Sequence, residues 1–327
     1  MPLCVITDYM GDDVEVEREL LARAGIDVYV ARSPIAEDWI GFAEEADAIL
    51  TRHAPIRNTS IKRLNRCRII SRYGTGHDNI DIDAASEHGI EVAWVEDYCT
   101  DEVADHALAL LLSCARCVVE LADHVRDGGW TPEPHPPIVR LRGRTLGLLG
   151  CGRIGSAVAS RAVAFGLNVI AYDPYSPMPA NVHAAKSIDE LVSRADILSL
   201  HTPLTAETRG VIDEHRISLL PEGAIIINVA RGGLIDFDAA ERALRSGRLA
   251  ALGLDVLDHE PPAPNHPLRT LPRALVTPHL AYYSRASVEE AKRRSVTAIL
   301  RALANTPEAP AVRATAAADA AVEVMPK

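Results

Sequence analysis

The sequence predicts an α/β protein with two domains, each built around a parallel sheet. Three observations support this prediction. Short apolar runs alternate with segments of helical periodicity along most of the chain, as they do in β-α-β units. A Gly-x-Gly-x-x-Gly motif lies between two such runs near the middle of the chain. The length of 327 residues suggests two domains rather than one.

Residues 1–98 are predicted to form the smaller α/β domain. Its strands are expected over 3–7, 26–30, 48–51, 68–71 and 90–93. A helix over 14–24 ends at Gly25, a residue favoured just past helix C-termini. A single long helix is then expected over 100–125, followed by an irregular proline-rich link over 132–137.

The segment 71–81 follows one of these strands and carries Gly74 and Gly76. Ligands of open α/β sheets bind at the carboxyl ends of strands. Backbone N–H groups of this loop, together with Arg72, could hold a small carboxylate. A plain turn capped by Asp78 and Asn79 explains the spacing equally well.

The motif Gly150-Cys-Gly152-Arg-Ile-Gly155 predicts a dinucleotide-binding β-α-β unit over residues 145–174. Gly150 permits the tight turn out of the strand, and Gly152 lets a pyrophosphate approach the backbone. Gly155 lets the helix and the strand pack closely. The amides at the start of the following helix favour an anion, as does the helix dipole.

Asp173 ends the second strand of this unit, where a carboxylate accepts hydrogen bonds from both ribose hydroxyls. A carboxylate at this position repels a 2′-phosphate, and no Arg or Lys follows within several residues. The predicted cofactor is therefore NAD rather than NADP.

The alternation of strands and helices continues and predicts a Rossmann domain of six parallel strands. The six strands are expected over 146–149, 168–172, 197–200, 224–229, 252–256 and 274–277. A closing helix over 284–304 precedes an Ala- and Pro-rich tail that we expect to be peripheral or mobile.

Three polar residues, Arg231, Glu260 and His279, each follow a separate strand of this domain. Carboxyl ends of parallel strands gather along one edge, so we expect the three side chains to converge. They suit hydride transfer to a 2-oxo acid: an arginine holds the carboxylate, and a histidine protonates the alkoxide. A carboxylate beside the histidine favours the imidazolium. A surface arginine, a loop glutamate and a capped histidine are each common singly, but their coincidence at three strand ends is not.

His201 also follows a predicted strand, and we expect it to line the cofactor site rather than to act as an acid. Four other histidines have no comparable setting, although the second of them lies near the glycine loop. They are His53, His77, His106 and His259.

Composition excludes several classes of function. The formal net charge of −11 argues against a nucleic-acid partner, and no apolar run is long enough to span a membrane. The first residues predict a strand rather than a signal peptide. The six cysteines are scattered, as in cytoplasmic proteins with reduced thiols. Cys114 and Cys117 have redox or zinc-like spacing, but they lie in an apolar helix and are predicted to pack.

At these motifs the chain resembles the D-isomer-specific 2-hydroxyacid dehydrogenases over residues 3–304. The resemblance rests on Arg-Tyr-Gly-Thr-Gly-x-Asp-Asn-Ile-Asp at 72–81, Gly-Cys-Gly-Arg-Ile-Gly at 150–155, Val-Ala-Arg-Gly-Gly-Leu-Ile-Asp at 229–236 and Thr-Pro-His at 277–279. It implies a Rossmann NAD-binding domain over 99–282 and a discontinuous, flavodoxin-like substrate domain over 1–98 and 283–327. It also implies a homodimer formed through the Rossmann domains.

The resemblance further implies roles for individual residues. Catalysis is assigned to Arg231, Glu260 and His279. Cofactor contacts are assigned to Thr75, Leu149, Gly150, Cys151, Gly152, Arg153, Ile154, Asp173, His201, Thr202, Pro203, Thr208, Val229, Ala230, Asp255 and Ala281. Substrate contacts are assigned to Arg72, Thr75, Gly76, Arg231 and Tyr282. No metal is expected.

Within the family, the motifs are most similar to those of the C-terminal-binding-protein corepressors, for example Pro-His-Leu-Ala-Tyr-Tyr-Ser at 278–284. Those proteins carry a Trp against the substrate side chain where Tyr282 stands. Most family enzymes have Gly-Gly at the positions of Ala281 and Tyr282. This departure argues against phosphoglycerate or glyoxylate as the substrate.

The predicted function is therefore the NAD-dependent interconversion of a 2-oxo acid and a D-2-hydroxy acid, with His279 as the acid and base. Two alternatives stay open. One is an NAD(H)-sensing binding protein with little turnover. The other is the same enzyme class acting on phosphite or a phosphorylated hydroxy acid. The complete set of Arg, Glu and His favours an enzyme, because sensing needs no proton donor.

Overall fold

The structure is a computed structural model that describes residues 1–131 and 138–304, together with the backbone of Thr315–Ala316. The chain forms two compact units. The first contains Met1–Tyr98 and the chain from Ser284 onward, and the second contains Cys99–Tyr283. The predicted link at 132–137 lies outside the described residues, as does the predicted tail apart from Thr315–Ala316.

Helices and strands alternate along most of the described chain. The helices are α1 (Glu15–Arg23), α2 (Ala36–Ala43), α3 (Asn58–Ile61), α4 (Ile82–Glu87), α5 (Thr100–Arg116), α6 (Val118–Arg126), α7 (Arg153–Ala164), α8 (Ile188–Arg194), α9 (Glu214–Leu219), α10 (Phe237–Arg245) and α11 (Arg285–Ala304). The strands are β1 (Leu3–Ile6), β2 (Asp27–Val30), β3 (Ala48–Thr51), β4 (Ile69–Arg72), β5 (Glu91–Trp94), β6 (Thr145–Leu149), β7 (Asn168–Tyr172), β8 (His183–Ala184), β9 (Ile197–Leu200), β10 (Ala224–Asn228), β11 (Leu249–Leu254) and β12 (Ala274–Val276).

The sheet of the first unit is parallel, with the strand order β2-β1-β3-β4-β5 and the backbone of Thr315–Ala316 beside β5. This order is that of flavodoxin-like sheets. Trp39, Ile49 and Ile70 are fully buried in one core of the unit, because α2 covers that face. The long helix α11 packs across β3, β4 and β5 and against α1. The predicted flavodoxin-like fold is confirmed.

The sheet of the second unit is also parallel, with the order β8-β7-β6-β9-β10-β11-β12. The order reverses between β6 and β9, which is the switch point of a Rossmann sheet. The predicted Rossmann fold is therefore confirmed, but the predicted number of six strands is wrong. The additional strand, β8, consists of His183 and Ala184 alone, and both are exposed. Two exposed residues leave no apolar run in the sequence.

Burial explains why strand ends of this unit could be located from the sequence. All five residues of β10 are buried, and α5 packs against both β10 and β11 while α10 packs against β11. Strands covered on both faces read as unbroken apolar runs. The first polar residues after each run therefore mark the carboxyl edge of the sheet.

The predicted single helix over 100–125 is wrong, because Cys117 adopts φ +52° and divides it into α5 and α6. Arg273 holds this break. Its guanidinium lies 3.0 Å from Cys117 Sγ and 2.9 Å from Glu120 Oε1, and it donates to the Cys114 carbonyl at 2.9 Å. Arg273 stands 156 residues after Cys117, so no local pattern reveals the break.

All six cysteines are buried thiols outside any disulfide. Among the described helices, none combines the length and the apolarity needed to cross a membrane. Across residues 1–131 and 138–304, no three His, Cys, Asp or Glu side chains are grouped as metal ligands would be.

Candidate active site

The turn from β6 into α7 has the geometry that the glycine motif predicts. Gly150 has φ +90°, and a Cβ there would lie 2.7 Å from the carbonyl carbon of His201. A Cβ on Gly155 would lie 2.4 Å from the Gly150 carbonyl oxygen. Neither position accommodates a side chain without moving backbone. A Cβ on Gly152 would meet only Ser176 Oγ, at 3.9 Å, so there is room for an anion beside this backbone.

The start of α7 adds a positive field to this open backbone. The helix begins at Arg153, directly after Gly152, and no side chain caps its first turn. The amides of that turn, including that of Ile154, and the positive end of the helix dipole favour an anion.

Asp173 ties the glycine loop to the end of β7. Its carboxylate accepts the N–H of Cys151 at 2.8 Å, that of Tyr175 at 2.8 Å and that of Ser176 at 3.0 Å. Burial raises the pKa of Asp173, but these backbone hydrogen bonds outweigh it and the net pKa is lowered. The ionised carboxylate keeps acceptor sites for ribose hydroxyls. The open cradle at Gly152, the uncapped helix and this carboxylate together fit NAD.

His201 follows β9 at the same edge. Its Nε2 lies 2.8 Å from Ser199 Oγ, and its buried Nδ1 has no hydrogen-bond partner among the described residues. Burial lowers the pKa of His201 to about 4, so the ring is neutral at pH 7. A neutral ring beside Gly150 can line a ligand site, but it does not supply a proton.

The loop after His201 carries the predicted contacts Thr202, Pro203 and Thr208. The Thr208 hydroxyl donates to the Pro203 carbonyl at 2.7 Å and accepts the N–H of Thr205 at 2.7 Å. It therefore shapes the loop. The backbone N of Thr202 is one of the atoms that crowd Gly150.

His279 and Glu260 form the shortest side-chain contact of the site. His279 Nδ1 lies 2.5 Å from Glu260 Oε2, and the Leu257 N–H donates to Glu260 Oε1 at 2.9 Å. Burial raises the pKa of Glu260, but the net pKa is lowered. The decrease comes from the hydrogen bond and charge of His279, from the Leu257 amide and from the charge of Arg231. Glu260 is therefore an anion at neutral pH.

Hydrogen bonds to the backbone around Arg231 hold this residue beside His279 and Glu260. The buried Asn228 side chain donates to the Arg231 carbonyl at 2.8 Å and accepts the Ala230 N–H at 3.0 Å. Next along the chain, a Cβ on Gly232 would lie 2.0 Å from the Leu257 carbonyl carbon. The loop of Arg231 thus presses directly against the loop that carries Glu260. The structure brings Arg231, Glu260 and His279 together, as predicted.

Asp255 organises the turn that presents His279. Its buried carboxylate accepts the Thr277 hydroxyl at 2.6 Å, the Leu280 N–H at 3.0 Å and the Ala281 N–H at 2.8 Å. Its carbonyl accepts the His279 N–H at 2.8 Å. His279 adopts φ +54°, a region that non-glycine residues rarely occupy. The strained backbone is therefore fixed from several sides.

The predicted substrate loop lies in the first unit, at the carboxyl end of β4. Arg72 donates through Nε to Asn79 Oδ1 at 2.9 Å and through Nη1 to the Tyr73 carbonyl at 2.9 Å. The Thr75 hydroxyl lies 2.9 Å from the Glu96 carbonyl. Gly76, next in the loop, is half-buried. The loop is therefore an ordered turn with an oriented guanidinium.

The remaining predicted contacts flank the same strand ends in the second unit. Leu149, Cys151, Val229 and Ala281 are buried, and Ala230 is half-buried. Tyr282 is half-buried, with its ring edge-on to Tyr283 at 6.3 Å between centroids.

Three supporting residues escape sequence reasoning. Asn228 ends β10 and fixes the Arg231 loop, and Asn79 orients Arg72, although the sequence suggests only that Asn79 caps a turn. His106 lies on α5 and does not follow a strand, but its Nε2 lies 2.9 Å from Thr277 Oγ1, a contact that sequence reasoning missed. Asn228 could have been found as a polar residue closing an apolar strand. His106 is separated from Thr277 by 171 residues and gives no such signal.

Comparison with known proteins agrees with this geometry. Residues 108–281 match the family described as "D-isomer specific 2-hydroxyacid dehydrogenase, NAD binding domain", in agreement with the predicted cofactor. The chain is 38% identical to a D-3-phosphoglycerate dehydrogenase of Methanocaldococcus jannaschii, over 90% of this chain and 55% of the relative. The chain thus spans about half the length of this relative.

Two further proteins are similar over most of both chains. A hydroxypyruvate reductase of Thermotoga maritima is 38% identical over 76% of this chain and 81% of its own. The crystal structure of a D-lactate dehydrogenase from Aquifex aeolicus, complexed with NAD and lactic acid, superimposes with a TM-score of 0.85. It is 28% identical over 92% of this chain and 95% of its own. The chain belongs to the D-isomer-specific 2-hydroxyacid dehydrogenase family.

Proposed function

We propose that the protein is an NAD-dependent dehydrogenase that interconverts a 2-oxo acid and a D-2-hydroxy acid. The observation that carries this proposal is the contact of 2.5 Å between His279 Nδ1 and Glu260 Oε2, with Arg231 beside it. A titratable ring, an anion that stabilises its cationic form and a fixed guanidinium are what proton transfer to a bound alkoxide requires.

The cofactor is held by the carboxyl edge of the Rossmann sheet. Bound NAD supplies the hydride acceptor or donor. The cradle at Gly150–Gly152 and the start of α7 receive the pyrophosphate, and Asp173 receives the ribose hydroxyls. His201 is neutral and lines this site without exchanging protons. The other contacts predicted in this unit, among them Thr202, Val229, Asp255 and Ala281, are assigned to the same cofactor site.

His279 moves the proton. Because Nδ1 is committed to Glu260, Nε2 is the atom that exchanges a proton with the substrate oxygen. Glu260 stays ionised at neutral pH, since the net effect of its surroundings lowers its pKa. The anion stabilises the imidazolium, and its bond to Nδ1 fixes the plane of the ring.

The two arginines recognise the substrate. Arg231 donates to the Ala230 carbonyl at 2.7 Å, which restrains its guanidinium, and we assign to it the carbonyl and carboxylate of the substrate. Arg72, held by Asn79, is the second guanidinium that we assign to a substrate carboxylate, together with the amides of Thr75 and Gly76. Tyr282 forms an aromatic wall against the substrate side chain.

The substrate class is a small 2-oxo acid. Relatives are named for 3-phosphoglycerate, hydroxypyruvate and glyoxylate. Tyr282 occupies space where most of the family carries glycine, so we expect a substrate whose side chain packs against an aromatic ring. Phosphite and phosphorylated hydroxy acids remain test compounds, since the guanidinium of an arginine matches the geometry of phosphate-type oxyanions as well as that of carboxylates.

The two compact units correspond to the domains in this proposal. The unit Cys99–Tyr283 binds NAD, and the other unit binds the substrate carboxylate. We place the enzyme in the cytoplasm, where its six buried thiols remain reduced.

The proposal includes a homodimer formed through the Rossmann units. Several large apolar side chains of this unit are exposed in the single chain, among them Val118, Val119, Val125, Ile138, Val163 and Phe165. A cavity of about 470 Å³ lies between α5 and the segment 138–141, with Phe165 in its wall. Ile138 and Phe165 line this cavity together, and contiguous exposed apolar groups mark interaction surfaces. Sedimentation of the parent and of Phe165→Asp tests this, with a dimer expected only for the parent.

A corepressor-like NAD(H) sensor is the second candidate, supported by the motif around Tyr282. Such a protein would bind NADH and a partner protein with little turnover. The contact between His279 and Glu260 supports the enzyme, because partner recruitment uses no proton donor.

The proposed function is tested by following NADH absorbance with a panel of 2-oxo acids, from glyoxylate to bulky apolar ones, together with phosphorylated ones. We expect turnover with one class and a loss of several kcal/mol of transition-state stabilisation in Arg231→Ala. Arg245→Ala, which removes a surface arginine paired with Glu241, is the matched control. Tight NADH binding without turnover of any compound would favour the sensor.

A further inference from the structure

His106 lies on α5 and reaches the turn that carries His279. It shares one stripe of the helix with Leu110 and Cys114, at spacings of four residues. A Cβ on Gly253 would lie 3.1 Å from Leu110 Cβ and 3.3 Å from Cys114 Sγ. The absence of a side chain at Gly253 therefore lets α5 approach β11 closely. The next turn of the same stripe places His106 beside Asp255, two residues beyond Gly253.

The contacts of His106 form a short directed chain of hydrogen bonds. Its Nε2 lies 2.9 Å from Thr277 Oγ1, and Thr277 Oγ1 lies 2.6 Å from Asp255 Oδ1. The Thr277 hydroxyl carries a single proton, and the ionised carboxylate can only accept. The proton therefore points to Asp255, and the hydroxyl oxygen accepts from His106. This direction requires the Nε2–H form of the His106 ring.

The hydroxyl of Thr277 has an alternative acceptor. The Leu254 carbonyl lies 3.5 Å away, compared with 2.6 Å for Asp255 Oδ1. A donor on the hydroxyl oxygen favours the orientation toward Asp255. His106 Nε2 also lies 3.6 Å from Asp255 Oδ1, so it adds to the field on the same oxygen.

We propose that His106 is a positioning residue for His279, acting through Thr277 and Asp255. This inference rests on the proposed function of His279 as the acid and base. The turn from Thr277 to Ala281 holds His279 at φ +54°, and Asp255 is its central acceptor. His106 lies outside that turn and fixes the orientation of the Thr277 hydroxyl, which donates to Asp255. A displacement of the ring by a fraction of an ångström lowers the rate of proton transfer more than it weakens binding.

Steady-state kinetics of four variants tests the proposal. His106→Leu removes the donor, and His106→Gln keeps an N–H at the reach of Nε2. Thr277→Val removes the relay, and Thr277→Ser keeps it. We expect kcat to fall about tenfold in His106→Leu and in Thr277→Val, with KM for the 2-oxo acid within about twofold. The Gln and Ser variants should recover most of this loss, and the double variant His106→Leu/Thr277→Val should lose no more than either single variant.

Control variants separate positioning from general damage. His88→Leu removes a histidine from the other unit and should leave kcat unchanged. Equal falls of kcat in the Leu and Gln variants at position 106, or a rise in KM without a change in kcat, would overturn the proposal.

A measurement without turnover gives a second test. In protein labelled with ¹⁵N-histidine, long-range ¹⁵N–¹H spectra report which ring nitrogen carries the proton. We expect His106 in the Nε2–H form at pH 7.5, and we expect Thr277→Val to shift the ring resonances of His279. An Nδ1–H form, or unchanged His279 resonances, would contradict the proposal. If the parent turns over no substrate, the proposed function fails while these spectra still decide the structural link.

Discussion

His201 and His279 both follow strands of the same parallel sheet, yet their surroundings differ. His201 is half-buried beside Gly150, with a neutral hydroxyl on one ring nitrogen and no partner on the other, buried nitrogen among the described residues. Its pKa falls to about 4. His279 contacts an ionised carboxylate at 2.5 Å on a turn held by Asp255. Both histidines follow a strand, so their position does not distinguish them. The group beside the ring does: a hydroxyl beside His201 suits a lining residue, and a carboxylate beside His279 suits an acid.

The difference also shows how each ring is held. His201 sits where the glycine loop leaves no space, since a Cβ on Gly150 would collide with its backbone. Backbone packing and the Ser199 hydroxyl, 2.8 Å from Nε2, therefore hold this residue. His279 adopts a strained φ, and hydrogen bonds to Asp255 hold its turn. Active sites commonly concentrate such strain where a group must be aimed.

The largest effect expected from this comparison concerns the two rings themselves. His279→Ala should lower kcat/KM by about 10³-fold, because general acid catalysis contributes 10²–10⁴-fold. His201→Gln should lower it by less than about tenfold, since a neutral ring transfers no proton. Steady-state kinetics with the preferred 2-oxo acid measures both. Similar losses of kcat/KM in the two variants would contradict the proposed difference between an acid at His279 and a lining residue at His201.

The second effect removes the partner and keeps the ring. Glu260→Gln preserves the size of the side chain but removes the anion beside His279. We expect kcat to fall about 10²-fold, with NADH affinity retained. Fluorescence titration of NADH provides the control for binding. A Glu260→Gln enzyme with parental kcat would show that the carboxylate is dispensable.

The third effect comes from a substitution that pushes apart the two loops that carry Arg231 and Glu260. In Gly232→Ala the new methyl group would lie 2.0 Å from the Leu257 carbonyl carbon. We expect a loss of about 1–3 kcal/mol in unfolding free energy from overpacking, and kcat should fall about 10²-fold because the loops move apart. Gly41→Ala is the matched control, since nothing lies within 4 Å of its Cβ position. That helical substitution should stabilise the protein by about 0.5–1 kcal/mol.

The smallest effect concerns stability and pH at His201. Its folded pKa of about 4 lies below the ordinary value of 6.5, so the unfolded chain binds more protons between these values. Its contribution to stability is therefore present above pH 6.5 and is lost as the pH falls toward 4. Between pH 7 and pH 4.5 we expect about 2 kcal/mol of loss from this group, by proton linkage.

Urea denaturation of the parent and of His201→Gln at the two pH values measures this difference. The variant should lose about 2 kcal/mol less than the parent. His259→Gln makes the same change at a side chain that is 90% exposed and should follow the parent. Parallel losses in parent and His201→Gln would contradict the assigned pKa.

Sequence patterns were sufficient to predict features that depend on neighbouring residues in the chain. Buried strands appear as apolar runs, so the ends that carry Arg231, Glu260 and His279 were located within a few residues. The turn at the glycine motif could also be predicted from the sequence. Backbone atoms approach positions 150 and 155 so closely that only glycine fits there.

Features that depend on contacts between distant parts of the chain could not be predicted from the sequence. The break at Cys117 depends on Arg273, and the setting of His106 depends on Thr277. The additional strand β8 consists of two exposed residues and carries no apolar signal. In each case the determining partner is brought close by the fold, and the local sequence is compatible with the simpler interpretation.

The most direct test of the central claim is the stereochemistry of the product. The parent is incubated with NADH and its preferred 2-oxo acid, and the hydroxy acid formed is resolved on a chiral column. We expect the D-2-hydroxy acid in amounts equal to the NADH consumed. An L product, or NADH binding without any hydroxy acid, would contradict it.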